Sequence, residues 1–189
     1  IELFANGSGG FDLVIEDVET DSPIGFASDV PVSDSTDNLR IERIGSNYVI
    51  TDTGGLTLGS PIVGASRNGL SQIIVPVSLV TGDIIIRTGI DDDVVTVGDL
   101  GTLAGGLTID LEDSAGRFND SDVINYDGDA TLAADSANSF RAETINALAG
   151  ATLTTTGSGT VYWDAGRNIA MSSASSVVSD SGDITFEAN

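Results

Sequence analysis

The chain has 189 residues, 40% of them hydrophobic, so it is long and apolar enough to bury a core. Its 22 Asp and 7 Glu face 7 Arg and no Lys, and the net charge of -22 repels nucleic acid phosphates and anionic lipid surfaces. His and Cys are absent, which excludes disulfides, thiolate chemistry, the usual zinc sites and His-dependent triads, and the lack of Lys excludes Schiff bases and the P-loop.

No apolar run approaches the ~18 residues of a membrane-spanning helix, and no signal peptide opens the chain, so membrane insertion is not expected. The start at Ile1 and the end at Asn189, directly after a strand pattern, carry the expectation of a piece of a longer polypeptide.

Between Ile1 and Val80, "FDLVIEDV" (Phe11 to Val18), "LRIERIG" (Leu39 to Gly45), "NYVITDT" (Asn47 to Thr53) and "SQIIVPVSLV" (Ser71 to Val80) read as strands. Irregular stretches separate them, the longest being Glu19 to Asn38 with Pro23 and Pro31, which reads as a surface loop or a ligand-binding loop. The expected division is residues 1–80 as an irregular β region and residues 81–189 as regular coils. The first part either continues the coils in wider form or stands as a small β unit that caps them.

From Gly82 onward, apolar and polar residues alternate with period two. "GDIIIRTG" (Gly82 to Gly89) leads into the densest acidic cluster, "GIDDDVVTV" (Gly89 to Val97). Laid on the calcium-binding nonapeptide G-G-x-G-x-D-x-U-x, this cluster matches at Gly89, Asp93 and Val95, with Thr88 and Asp91 in place of the other glycines. Asp91, Asp92 and Asp93 are therefore the candidate metal ligands, for Ca²⁺, with a solvated acidic turn as the competing reading. No catalytic or cofactor-binding residue is assigned, and no cofactor is required.

"GLTIDLED" (Gly106 to Asp113) puts Leu107, Ile109 and Leu111 on one face. "NDSDVINYDGDAT" (Asn119 to Thr131) resembles an EF-hand loop only superficially, because Val123 stands where the first Asp belongs. "SANSFRAETINALAG" (Ser136 to Gly150) has helical spacing at Ala137, Phe140, Thr144 and Leu148, but it lies between repeat units and is read as a strand with Phe140, Ala142 and Thr144 inward. In "TVYWDA" (Thr160 to Ala165), Val161, Trp163 and Ala165 share the inward face and Tyr162 the outer one, so Trp163 belongs to a core rather than to a sugar platform. In "DITFEA" (Asp183 to Ala188), Ile184, Phe186 and Ala188 are the inward set.

The glycines that open four of these strands sit at 82, 106, 128 and 150, steps of 24, 22 and 22 residues. Such a period, with short strands and Gly, Asp, Asn or Ser at the corners, is what the stacked coils of a parallel β-helix require. After Gly150 the strands come at about eight residues each, as three short sides of one coil would. The expected interior is narrow and lined by small residues: Ala130, Leu132, Ala134, Ala151, Leu153, Ala165, Ile169 and Met171. The isolated Arg residues, as in "LRIER" and "FRAET", are expected in cross-strand ion pairs on the outside.

The stretch "AGRNIAMSSASSVVSDSGDITFEAN" (Ala165 to Asn189) resembles the repeats of filamentous haemagglutinin-type adhesins and related giant bacterial surface proteins. "NYVITDTGG" (Asn47 to Gly55) through "TGDIIIRTGIDDDVVTVGDL" (Thr81 to Leu100) is similar to repeats of very large bacterial surface proteins. The resemblance implies a secreted or cell-surface β-solenoid and brings no catalytic residues with it.

The reading is thus an all-β chain, a right-handed parallel β-helix (β-solenoid) with an irregular N-terminal β part. Its expected role is that of a structural or adhesive, non-enzymatic extracellular segment of a large bacterial surface or filament-forming protein. Its expected partners are further copies, neighbouring segments of a longer chain, or a glycan or other cell-surface ligand, and not nucleic acid. Two alternatives are a calcium-stabilised surface module and a polysaccharide-active β-helix enzyme working through paired carboxylates.

Overall fold

The computed structural model describes residues 1–6, 10–16, 36–53, 64–69, 71–89, 92–112 and 121–189. Among these residues the regular structure is all strand, apart from one 3-10 turn at Val77–Leu79. The loop expected between Glu19 and Asn38 lies outside the described residues except at its last three positions.

The N-terminal strands are β1 (Glu2–Ala5), β2 (Phe11–Glu16), β3 (Asn38–Ile44), β4 (Asn47–Asp52), β5 (Ser66–Arg67) and β6 (Gln72–Pro76). They pair mainly as antiparallel neighbours: β1 with β2, β3 with β4, β4 with β6 and β5 with β6. From β7 (Ile84–Arg87) the pairing changes. β7, β8 (Val94–Val97) and β9 (Gly101–Thr102) are followed by β10 (Leu107–Asp110), β11 (Val123–Tyr126) and β12 (Asp129–Thr131). Then come β13 (Asn138–Ala147), β14 (Thr152–Thr155), β15 (Val161–Met171), β16 (Ser176–Ser179) and β17 (Ile184–Ala188).

Each of these strands pairs in parallel with its counterpart in the next set. β7, β10, the first half of β13, the first half of β15 and β17 form one ladder. β8, β11 and the second halves of β13 and β15 form another, and β9, β12, β14 and β16 form a separate four-stranded sheet. Because β13 and β15 run through two ladders, both ladders belong to one 13-stranded mixed sheet that curls into a half-barrel. The N-terminal strands join it through parallel pairs, β2 with β7 and β3 with β8.

In the first ladder Ile84 pairs with Leu107, Asn138 with Val161 and Val161 with Ile184, all at one constant step along the chain. The pair of Leu107 with Asn138 breaks that step, being 31 residues apart where the others are 23. In-register pairing stacks like side chains in columns. One column runs Ile15, Ile86, Ile109, Phe140, Trp163, Phe186. Within it Phe140 and Trp163 stack with centroids 5.4 Å apart, and Trp163 meets Phe186 at 4.8 Å. Next to it, Asn138 is a buried polar residue whose groups are both engaged: Oδ1 accepts from Trp163 Nε1 at 2.8 Å, and Nδ2 donates to the Leu107 carbonyl at 3.0 Å.

Ser136 to Gly150 holds the strand β13, not a helix, and Phe140 and Ala142 are buried in it. Thr144 does not face inward as expected: the register shift between Ala142 and Thr144 reverses the alternation, so Ile145 and Ala147 are buried while Thr144 is half-buried and accepts from Asn168 Nδ2 at 3.3 Å. Leu107, Ile109, Leu111, Val161, Trp163 and Ala165 are buried as their alternation predicts, and Tyr162 faces out, donating its hydroxyl to Glu187. Three further expectations need correction. Ala134 is exposed because it lies in a turn between β12 and β13. Met171 is 43% exposed because β15 is the last strand of its ladder, so nothing among the described residues stacks on it. Ile184, Phe186 and Ala188 are exposed for the same reason, at the edge of β17.

The opening glycines serve two ladders, not one. Gly82 and Gly106 precede β7 and β10, whereas Gly128 and Gly150 precede β12 and β14 of the smaller sheet. The reason for glycine is close backbone contact between neighbouring turns: a Cβ at Gly128 would fall on the backbone of Gly98 and Asp99, and one at Gly182 on the backbone of Gly159.

Candidate functional site

The corner between the first and second ladders gathers acids from successive sets of strands. Asp93 precedes β8, Asp122 precedes β11, Glu143 lies where β13 passes from one ladder to the other, and Glu112 follows β10. All four are buried, with exposures of 1%, 0%, 2% and 6% in that order. Carboxylates suit this corner because backbone amides that lead into the neighbouring strand point at them. Asp37 donates its N–H to Asp93 Oδ1 at 2.8 Å, Asp93 donates to Asp122 Oδ1 at 2.8 Å, and Asp122 donates to Glu143 Oε2 at 2.9 Å. Asp93 and Asp122 therefore each accept from the segment that leads into one neighbouring strand and donate to the acid of the other. Bonds of this charge-assisted kind are about twice as strong as neutral ones.

Glu112 completes the corner. One carboxylate oxygen from each of Glu112, Asp122 and Glu143 lies within 4.8 Å of the others. At that separation two ionised carboxylates repel by roughly 3–4 kcal/mol at an effective dielectric of about 20. Three negative charges held there require compensation, by a shared proton, by a cation or by a guanidinium. An all-oxygen donor set is the chemistry of a hard cation, and two oxygens on opposite sides of one Ca²⁺ stand about 4.6–5.2 Å apart. Three side chains alone fall short of the 6–8 oxygens that Ca²⁺ takes.

Of the three ligands expected from the sequence, Asp91 lies outside the described residues. Asp92 is exposed and accepts the Ser121 N–H at 2.9 Å, and Asp93 is buried against Asp37 and Asp122. Among the described residues, the acids close enough to share one ion are Glu112, Asp122 and Glu143; Asp122 falls in the second acidic stretch, Asn119 to Thr131, while Glu112 and Glu143 were not singled out from the sequence. Glu143 stands in "FRAET", read there for ion pairs alone. Arg141 of that segment does pair across strands, with Asp110 at 3.5 Å and Asp164 at 3.6 Å, while Glu143 turns inward.

A second set of acids brackets the corners that lead into the first ladder. Asp12 Oδ1 accepts the Asp83 N–H at 2.8 Å, and Asp83 Oδ1 accepts the Gly106 N–H at 2.5 Å. Asp135 Oδ1 accepts both the N–H and the hydroxyl of Ser158, at 2.8 and 2.9 Å, and these two bonds hold its carboxyl below the ordinary range. Part of the chain's acidity is thus structural, spent on amides that no strand partner reaches.

No protein-family model matches the chain, and neither the curated proteins nor the solved structures compared with it yield a match.

Proposed function

We propose that this chain is a segment of a right-handed, three-sided β-solenoid with a structural role in a large bacterial surface or filament-forming protein. The observation that carries the reading is the recurrence of three strands per set, each pairing in parallel with its counterpart in the next set. Stacked coils of this kind resist bending, because backbone hydrogen bonds and side-chain columns run along one axis. The interior supports a load-bearing reading over a ligand-binding one, since its columns are filled by Ile, Leu, Phe and Trp side chains. The antiparallel strands β1 and β4 to β6 act as the cap that one end of a solenoid needs. The outer surface, acidic and without Lys, suits an extracellular location in salty water, where any adhesive contact falls to loops and self-association to the coil ends.

The role is non-catalytic. Electron microscopy of the native polypeptide that carries this segment tests it: the expected result is a thin rod or fibre growing by about 4.8 Å per coil, and compact beads would overturn it. The calcium-stabilised alternative has its own measurement. Under it, chelator lowers the melting temperature, and Asp122→Asn abolishes the difference.

A further inference from the structure

We propose that Asn68 is a self-modification site, at which the side-chain carboxamide is displaced by the main-chain nitrogen of Gly69 and the residue ends as aspartate or isoaspartate.

Three dipeptides of the sequence carry this chemistry: Asn6–Gly7, Asn68–Gly69 and Asp127–Gly128. Glycine in the second place matters because it has no Cβ to shield its nitrogen or to narrow the dihedral angles that bring that nitrogen to the side chain. Once deprotonated, the glycine nitrogen attacks Cγ of the residue before it. For an asparagine the Cγ–Nδ2 bond then breaks and ammonia leaves, closing a five-membered succinimide. Water opens the ring at the γ-carbonyl to give aspartate, or at the α-carbonyl to give isoaspartate, whose main chain runs through Cγ. One water enters for each ammonia lost, and nothing is oxidised or reduced.

The structure ranks the three. Asp127–Gly128 is held on every side: the Asp127 N–H donates to the Val97 carbonyl at 2.7 Å, its carboxylate pairs with Arg40 at 3.5 Å, and the Gly128 carbonyl accepts the Thr152 N–H at 3.1 Å. Gly128 also lies against the backbone of Gly98 and Asp99, and a carboxylate is a weaker electrophile than a carboxamide. Asn6 is half-buried and its carboxamide is engaged at both ends, Oδ1 accepting the Gly10 N–H at 3.0 Å and Nδ2 donating to Asp12 Oδ1 at 3.1 Å. Its Gly7 lies outside the described residues.

Asn68 and Gly69 are both exposed, in the turn that joins β5 to β6. Gly69 has φ +73, and nothing among the described residues lies within 4 Å of its would-be Cβ, so no neighbour blocks the rotation that attack requires. The Asn68 carboxamide donates from Nδ2 to Gln72 Oε1 at 2.9 Å, a solvent-exposed bond that leaves Cγ open to approach.

The consequence falls on β5. Ser66 and Arg67 pair with Ile74 and Ile73, and the Asn68 N–H closes the turn on the Gln72 carbonyl at 2.9 Å. Isoaspartate adds a methylene to the main chain inside that turn, and either product adds a carboxylate to a chain already at -22. β5 has two residues and stands outermost on its side of the sheet, so it has the least to hold it in place. β6 keeps its pairing with β4.

The experiment ages the intact chain at pH 7 and pH 9, folded and in concentrated urea, and then digests it with trypsin beside an unaged sample. Cleavage after arginine puts the three dipeptides on separate peptides, residues 1–40, 68–87 and 118–141. Fragmentation in the mass spectrometer reads aspartate and isoaspartate at each position. In the folded chain Asn68 is expected to convert roughly tenfold faster than Asn6, whose carboxamide has an extra hydrogen bond to break. Its rate is expected to rise from pH 7 to pH 9, and Asp127 is expected to stay unchanged. In urea the two asparagines are expected to converge. Asn6 converting as fast as Asn68 in the folded chain overturns the ranking, and an Asn68 that converts in urea but survives in the folded chain overturns the site. Asn68→Gln would have to close a six-membered ring, so its peptide is expected to stay unmodified and its ammonia release to fall to that of the remaining sites. Unchanged release from that variant also overturns the site. In the aged chain the residue-68 amide is expected to lose its protection from hydrogen exchange, and full protection there overturns the consequence for β5.

Discussion

The backbone N–H of Asp122 donates to Glu143 Oε2 at 2.9 Å, joining residues 21 apart in sequence at the corner between two ladders. Both residues are buried, so the amide has no access to water if the acceptor is removed. Glu143→Ala is therefore expected to destabilise the chain by about 1–3 kcal/mol, the cost of an orphaned buried donor. Glu143→Gln keeps an acceptor oxygen and removes one of three clustered charges, so it is expected to be neutral or stabilising. Urea denaturation of the two variants separates bracket from charge. Equal losses for Ala and Gln would refute the bracket.

Glycine at the corners between strands makes a second expectation. A Cβ at Gly128 would meet the backbone of Gly98 and Asp99, which has no flexible end to move aside. Gly128→Ala is expected to cost about 1–3 kcal/mol through forced separation of two backbone segments. Gly45, in the turn between β3 and β4, has φ +63 but nothing within 4 Å of its would-be Cβ. Gly45→Asn is expected to cost less than about 1 kcal/mol, since Asn tolerates that conformation. Thermal melts of both variants compare crowding with backbone strain directly.

In the aromatic column, Trp163 is fully buried and its indole N–H is the donor that satisfies Asn138 Oδ1. Trp163→Ala is expected to lose about 3–5 kcal/mol. Trp163→Phe keeps most of the packing but leaves the Asn138 acceptor unmade, for about 1–3 kcal/mol. The double change Trp163→Phe with Asn138→Leu removes both polar partners and is expected to recover part of that loss. A double-mutant cycle measured by denaturation checks the coupling.

Period-two alternation made the strands and their inward faces legible, because parity alone decides which side chains of "LTIDLED" and "TVYWDA" can meet a core. The placing of Asn138–Ala147 between repeat units favoured strand over helix there, as observed. Parity does not say whether another strand stacks on a residue, which is why Met171, Ile184 and Phe186 read as interior yet stand exposed. Glycine spacing misled in a different way: Gly marks any corner pressed against a neighbouring backbone, so Gly106 and Gly128, though one apparent period apart, open different ladders. The acid corner was hidden by unequal offsets. Leu107 pairs with Asn138 at a longer step than the one that joins Ile84 to Leu107 and Asn138 to Val161, so no fixed period aligns Glu112, Asp122 and Glu143.

Tyr126 carries an alkaline expectation. It is buried in the core, its hydroxyl donates to the Thr152 carbonyl at 2.9 Å, and burial pushes its phenol above the ordinary value of 10.0. A group whose value is raised on folding contributes stability that is complete below its unfolded value and is lost as pH rises past it. Stability is expected to fall above about pH 10, and Tyr126→Phe, which has no proton to lose, is expected to flatten that fall. Denaturant midpoints between pH 8 and 11 measure the slope, and an unchanged slope in the variant would place the alkaline loss elsewhere.

Asp135 sets the acid limb. Its carboxyl, at a turn residue with φ 64, is held below the ordinary value of 3.8 chiefly by the Ser158 N–H and then by the Ser158 hydroxyl. For a carboxyl lowered on folding, the contribution is present above the unfolded value and disappears as pH falls through the folded one. The turn is therefore expected to hold at pH 5 and to loosen below about pH 4. Asp135→Asn keeps the left-handed backbone and one acceptor oxygen but no charge, so its Ser158 amide shift is expected to be independent of pH over this range. In the unmodified chain the same shift is expected to titrate below the ordinary carboxylate value. Because Asp135 is fully exposed, the effect is local, and it is read by NMR at Ser158 and not by global melting. A Ser158 amide that titrates alike in both chains would mean that another carboxylate reports there and that the Asp135 bracket does not govern the turn.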